Sequence, residues 1–175
     1  NKHRQEFPSL ANKVYFNFGG QGPLPQAALE AILDAHKYLQ HKGPFSLKAN
    51  TWIQKSTELT RQAIAGELQV PPETLTLTEN VTVGCNIALW GIDWEVGDHI
   101  LMTDCEHPGV IAIVREIGWR FGVEISTCPI METLNEGDPV EVIRQHLQPK
   151  TRMVVLSHLL WNTGQILPLR DIVET

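Results

Sequence analysis

The stretch His99-Ile100-Leu101-Met102-Thr103-Asp104-Cys105-Glu106-His107-Pro108-Gly109-Val110 decides the fold. His99–Met102 reads as a strand, Thr103–Gly109 as a polar loop, and Val110–Gly118 as a helix with Pro108 at its first position, where a missing N–H does no harm. The same unit recurs on both sides. Thr74–Leu77 reads as a strand and Thr82–Gly91 as a helix; Val123–Ser126 as a strand and Val140–Leu147 as a helix opened by Pro139; Met153–Leu156 as a buried strand. Alternation of this kind predicts right-handed βαβ units and a mainly parallel sheet.

Upstream the pattern differs. Val14-Tyr15-Phe16 is a short β-rich run that stops at Gly19-Gly20-Gln21-Gly22-Pro23, a loop by composition. From Pro25, apolar residues at Ala28, Leu29, Ile32, Leu33, Ala35 and Leu39 give a helical stripe that Gly43-Pro44 ends. A second amphipathic helix spans 50–68, with Ile53, Leu59, Ala63 and Ile64 on one face, and Val70-Pro71-Pro72 stops it. Leu167–Thr175 begins another, with Leu169, Ile172 and Val173 on one face; it stops mid-pattern, so the expectation is the front part of a longer polypeptide.

Composition bounds the rest. The chain has 175 residues, 42% hydrophobic and 19% charged, with net charge −6. This is a globular mix that can bury roughly 70% of its unfolded surface. The acidic balance and the lack of a Lys/Arg cluster argue against nucleic-acid binding. No apolar run reaches the roughly 20 residues of a membrane span, and the polar start has no signal-peptide pattern. Cys85, Cys105 and Cys128 are an odd, widely spaced set, which predicts no disulfide framework, no structural metal site and a reducing, cytoplasmic setting.

Ligands of open α/β sheets bind beyond the carboxyl ends of the strands, so the loops there carry the functional signal. Thr78–Gly84 precedes a helix, and its free N–H groups with the Thr82 hydroxyl suit an anion; Asn80 or Thr82 acting only as an N-cap is the plainer alternative. His107 offers a flat imidazole that can stack or move protons, and a surface histidine is the alternative. Asn162, in Ser157–Gln165, offers an amide donor to a ligand oxygen, and an Asx turn before Gly164 is the alternative. Cys85 and Cys128 read as packing residues; Cys105 lies in a loop beside His107, where partial activation is the alternative, and it too reads as structural.

These loops, in order, resemble the class V, fold-type I pyridoxal-phosphate enzymes, the group of cysteine desulfurases and cysteine/cystine C–S lyases. Val14–Gly20 with Pro23-Leu24-Pro25 is similar to the family's opening strand and substrate-side loop, and Thr78–Asn86 to its phosphate cradle. Cys105–Pro108 is similar to its Glu-His motif, and Ser157–Gly164 followed by Pro168 to its Asn-x-x-Gly segment, one residue shorter between Asn162 and Gly164. Phe18–Gly22 is most similar to the C–S lyase branch. The resemblance implies an α/β three-layer sandwich with a mainly parallel sheet. Residues 1–24 would be an N-terminal strand and substrate-side loop, and 25–175 part of the large, cofactor-binding domain.

The resemblance further implies a pyridoxal 5′-phosphate cofactor held by Asn80, Val81, Thr82, His107 and Asn162, with His107 also catalytic. It implies that Asn17, Gly19 and Gly20 line the substrate side, and that the chain forms a homodimer. The implied reaction is β-elimination from cysteine or cystine, giving pyruvate, ammonia and sulfide or persulfide. The alternatives are a desulfurase or selenocysteine lyase giving alanine, linked to iron–sulfur assembly, and a non-catalytic phospholigand-binding module. The family's Asp for the pyridine nitrogen and its Schiff-base Lys, preceded by His, have no match here. His36-Lys37 and His41-Lys42 sit in a helix ahead of every cofactor loop and read as a solvated face. Val81, Val83 and Trp161 stand where many relatives have small or polar residues.

Overall fold

Five consecutive buried residues, His99–Thr103, form the central strand β1 of a computed structural model that describes residues 2–175, with side chains from His3 onward. The helices and strands in chain order are α1 (Lys2–Gln5), α2 (Gln26–Lys42), α3 (Leu47–Leu68), α4 (Val81–Trp90), β1, α5 (Pro108–Phe121), β2 (Glu124–Cys128), α6 (Pro139–His146), β3 (Thr151–Val155) and α7 (Leu169–Val173). They divide into two compact units, Asn1–Leu77 and Thr78–Thr175.

The second unit is the predicted α/β fold. Both neighbours of β1 run parallel to it, in the order β2-β1-β3. Side chains alternate between the faces of a strand. Ile100 and Met102 therefore pack with Leu89 of α4 and with Ile113, Val114 and Ile117 of α5. Leu101 packs on the opposite face with Ile143 of α6, Ile172 of α7, and Leu160 and Leu167 between β3 and α7. Helices on both faces make three layers and explain why β1 is apolar along its length. Local chemistry sets the helix ends. The Asp138 carboxylate accepts from the N–H groups of Val140 and Glu141 at the start of α6, and Gly122, at φ +67°, closes α5.

The first unit departs from two expectations. Val14–Phe16 is extended but forms no strand, and Thr74–Leu77 is not a strand either. Pro72–Thr74 is instead a 3₁₀ turn in which the Thr74 N–H donates to the Pro71 carbonyl. β-rich composition fits a pleated surface but does not create a pairing partner. The helices stand where the stripes put them, though Pro25 caps α2 rather than entering it. Their apolar faces are largely open: no residue of α2 is buried, and in α3 only Ala49 and Ala65 are. Tyr38 and Trp52 pack at 5.0 Å between the two helices. His36, Lys37, His41 and Lys42 are exposed, as expected of a solvated face.

One buried polar group ties all three strands. His99 is 1% exposed; its Nδ1 lies 2.8 Å from the Thr151 hydroxyl of β3 and its Nε2 2.8 Å from the Ser126 hydroxyl of β2. Burial holds its pKa below the ordinary value, Lys150 adds to this, and Glu124 opposes it. The folded state thus disfavours the proton, and the unfolded chain takes it up first as pH falls. Stability should be flat above about pH 7 and decline as pH drops below about 6.5. His99→Gln should flatten that decline in urea denaturation series across the window; an unchanged slope in the variant would contradict the assignment.

Candidate functional site

The carboxyl ends of β1, β2 and β3 lie on one edge of the sheet. The chain leaves β1 into α5 on one face, and leaves β3 toward Leu160, Leu167 and α7 on the other. A crevice between β1 and β3 follows from this reversal.

Glu106 is buried between the loops that follow β1 and β3. It is 5% exposed, and its Oε1 accepts from the Thr103 hydroxyl at 2.6 Å and from the Ser157 N–H at 2.9 Å. Its Oε2 accepts from the Ser157 hydroxyl at 2.9 Å. A buried carboxylate needs such donors to stay folded in. The outcome is a bridge between the loop after β1 and the loop after β3. The neighbouring carboxylate, Asp104, ties the β1 loop to the segment after β2 by accepting from the Met131 N–H at 3.0 Å.

His107 follows Glu106 and caps α5. Its Nδ1 accepts from the Gly109 N–H at 3.1 Å, which assigns the proton of the neutral ring to Nε2. The ring itself is exposed. The first turn of α4 comes to the same place. A Cβ on Gly109 would lie 3.1 Å from Thr82 Oγ1 and 3.3 Å from His107 Nδ1, so the absence of a side chain at 109 permits the approach. Asn80 caps α4, its carboxamide oxygen accepting from the Val83 N–H at 3.0 Å. The N–H groups of Val81 and Thr82 belong to the helical turn that has no intrahelical acceptor. A helix N-terminus with free N–H groups, a hydroxyl and an adjacent imidazole suits an anionic group on a flat ring.

The third loop is a hairpin. Leu159 and Ile166 pair antiparallel, the Leu160 N–H donates to the Gln165 carbonyl, and Gly164 turns the tip at φ +76°. Trp161 lies at this tip with its ring 5.9 Å from that of His107, inclined at 70°. Asn162 is exposed at the tip, where its primary amide offers two N–H donors.

Cys105 is buried, in line with its reading as a structural residue. Burial, then the charge of Asp104, raises its pKa, with Asn162 offsetting only part; the thiol stays protonated and unreactive. Burial likewise raises Cys85 and pushes Cys128 up to about 11. Among the described residues no group of three or more His, Cys, Asp or Glu side chains is arranged to hold a metal ion, and no helix is long and apolar enough to cross a membrane.

Thr82, His107 and Asn162 thus share the carboxyl edge of the second unit, with Asn80 and Val81 at the start of α4. Asn17, Gly19 and Gly20 lie in a turn of the first unit, where the Gly20 N–H donates to the Asn17 carbonyl at 3.2 Å. The Asn17 side chain folds over Gly20, 2.7 Å from where a Cβ would stand. Sequence reasoning missed the partnership of Glu106 with Ser157 and that of Trp161 with His107. The available signal was a polar pair, Thr103-x-x-Glu106, closing a strand that is otherwise buried.

Residues 14–175 match the family model described as Aminotransferase class-V. Two solved structures of C-DES are similar. One, titled as a mutant with glycine covalently linked to its pyridoxal-phosphate cofactor, is 58% identical with a TM-score of 0.92, over 98% of this chain and 44% of that one. The other, the cystine C–S lyase C-DES with its reaction product cysteine persulfide, is 59% identical with a TM-score of 0.91, over 96% of this chain and 44% of that one. Isopenicillin N epimerase of Streptomyces clavuligerus is 27% identical over 92% of this chain and 40% of its own length. A probable cysteine desulfurase of Vibrio cholerae is 25% identical over 98% of this chain and 45% of its own. The chain therefore spans less than half the length of these relatives.

Removing the Glu106 carboxylate strands an N–H and two hydroxyls. Glu106→Ala should cost about 3 kcal/mol of stability in urea denaturation, whereas Glu106→Gln should cost about 1, since the Ser157 hydroxyl can turn round to accept. Equal costs would contradict the bridge.

Proposed function

The chain belongs to the aminotransferase class-V family, and on that premise we propose that it contributes the phosphate cradle and ring-facing histidine of a pyridoxal-phosphate-dependent C–S lyase. The substrate is cysteine or cystine, and the products are pyruvate, ammonia and sulfide or persulfide. Identity of 58% to C-DES supports this reading over an epimerase or a desulfurase. The observation that carries it is the approach of Thr82 and His107 at Gly109, which joins the free start of α4 to an exposed imidazole.

The donor set fits pyridoxal phosphate. The Val81 and Thr82 N–H groups and the Thr82 hydroxyl hold the phosphate, while Asn80 keeps the turn open by capping Val83. His107 would face the flat pyridine ring, and the Asn162 amide would donate to the phenolic oxygen. When bound, the cofactor supplies an electron sink for charge developing at the substrate Cα. His107 carries its proton on Nε2, free to exchange with a substrate group, because Nδ1 is engaged by Gly109. Asn17, Gly19 and Gly20 serve the substrate side, within residues 1–24; residues 25–175 form the cofactor-binding part. The exposed stripe of α2, including Ile32 and Leu33, supports pairing with a second copy. A cytoplasmic setting accords with three free cysteines.

His107→Ala should weaken pyridoxal-phosphate binding at least about tenfold by absorbance titration, in line with loss of a stacked, hydrogen-bonding partner. In the complete enzyme it should lower turnover as well. Pyruvate as the product from cystine supports the lyase; alanine in its place would reassign the chain to the desulfurases.

A further inference from the structure

His107 is exposed, and a single hydrogen bond from Gly109 fixes only one of its ring nitrogens. That bond selects the tautomer but leaves the ring free to tilt about its own axis. Among the described residues, the aromatic ring packed against it is that of Trp161, edge to face at 5.9 Å and 70°. This geometry is the favoured one for an aromatic pair.

The hairpin that carries Trp161 is held from several sides. Its neighbour Leu160 and the returning Leu167 are each 1% exposed, anchoring both arms of the hairpin in the core. The Leu167 N–H donates to the His158 carbonyl at 2.8 Å, and the Gln165 amide donates to the Thr133 hydroxyl at 3.2 Å. The hairpin begins at Ser157, whose N–H and hydroxyl both bind Glu106, the residue before His107. One buried carboxylate thereby sets the spacing between the two loops that carry the ring pair. Trp161 is nevertheless 45% exposed, an unusual position for an indole that had only to fill the core.

We propose that Trp161 is a positioning residue that fixes the tilt of the His107 ring, so that His107 presents a constant face to a flat ligand. The inference rests on the reading of His107 as the ring-facing residue of a pyridoxal-phosphate site. It assigns to Trp161 no contact with reacting atoms and no proton transfer.

The test uses the complete enzyme that carries these residues, with Trp161→Ala and Trp161→Phe, pyridoxal 5′-phosphate as probe, and two readouts. The first is the position of the His107 ring signals in ¹H–¹³C NMR spectra without cofactor. In the parent chain they should carry the ring-current displacement of a nearby indole. Trp161→Ala should return them to the position of a freely turning histidine, and Trp161→Phe should keep a displacement. The second readout is cofactor affinity, which Trp161→Ala should weaken about two- to tenfold and Trp161→Phe largely restore, as expected for one aromatic pair. Unchanged backbone signals from β1 and β3 show that each variant is folded; should Trp161→Ala fail this, the parent chain and Trp161→Phe decide by the His107 displacement alone. His107 signals without displacement in the parent, or indifferent to Trp161→Ala, overturn the inference. So does an equal loss of affinity in both variants with His107 unmoved, which would make Trp161 a direct ligand contact. A parent chain that shows the displacement but takes up no pyridoxal phosphate refutes the proposed function instead, leaving the ring pair established.

Discussion

A carboxylate buried at the end of a parallel sheet is an unfavourable thing to fold unless donors meet it, and Glu106 is met by three: the Thr103 hydroxyl, the Ser157 N–H and the Ser157 hydroxyl. Those donors come from two different strand ends, and Ser157 lies 51 residues from Glu106 in sequence. Satisfying the charge and joining the loops are therefore one event. Everything at the carboxyl edge inherits its spacing from that bridge. His107 is the next residue along one loop, and Trp161 sits four residues past Ser157 on the other. The first turn of α4 then reaches the same point because position 109 has no side chain.

The sheet beneath gives the bridge a rigid base. β1 has helices on both faces and a hydrogen-bonded neighbour on each side, so its end cannot shift without disturbing two apolar clusters. α5 lies close to β2. A Cβ on Gly118 would stand 2.5 Å from Ile125 Cδ1 and 3.1 Å from the Val123 carbonyl oxygen, so glycine there sets the helix-to-sheet distance. His99 ties the opposite end of β1 to both neighbours through hydroxyls. The strand is pinned by polar groups at its two ends and by apolar packing between them. Such a frame suits a site in which a few side chains must hold a fixed mutual geometry.

The same family motifs accompany different names among the relatives, an epimerase and a desulfurase as well as a C–S lyase. Cofactor-holding residues at strand ends are what such proteins share, and substrate choice depends on what surrounds them. Trp161 and Val81 belong to that surrounding. Both are exposed at the carboxyl edge, where a change of side chain alters a pocket wall without loosening the core.

The sequence alone determined the α/β alternation of the second unit, the helix positions and the N-terminal turn of α4. Each is a local matter: periodicity of apolar residues, a proline or glycine at a boundary, a capping side chain within three residues of what it caps. It misplaced strands at Val14–Phe16 and Thr74–Leu77, because strand propensity is local but pairing is not. It read Cys105 as structural, but a one-dimensional pattern does not show why: the thiol is buried beside Asp104. Only the tertiary structure decided that Glu106 faces Ser157 and that Trp161 stands over His107. Those pairs are brought together by a parallel sheet whose middle strand comes first in sequence, and a crossover of that length leaves no trace in local spacing.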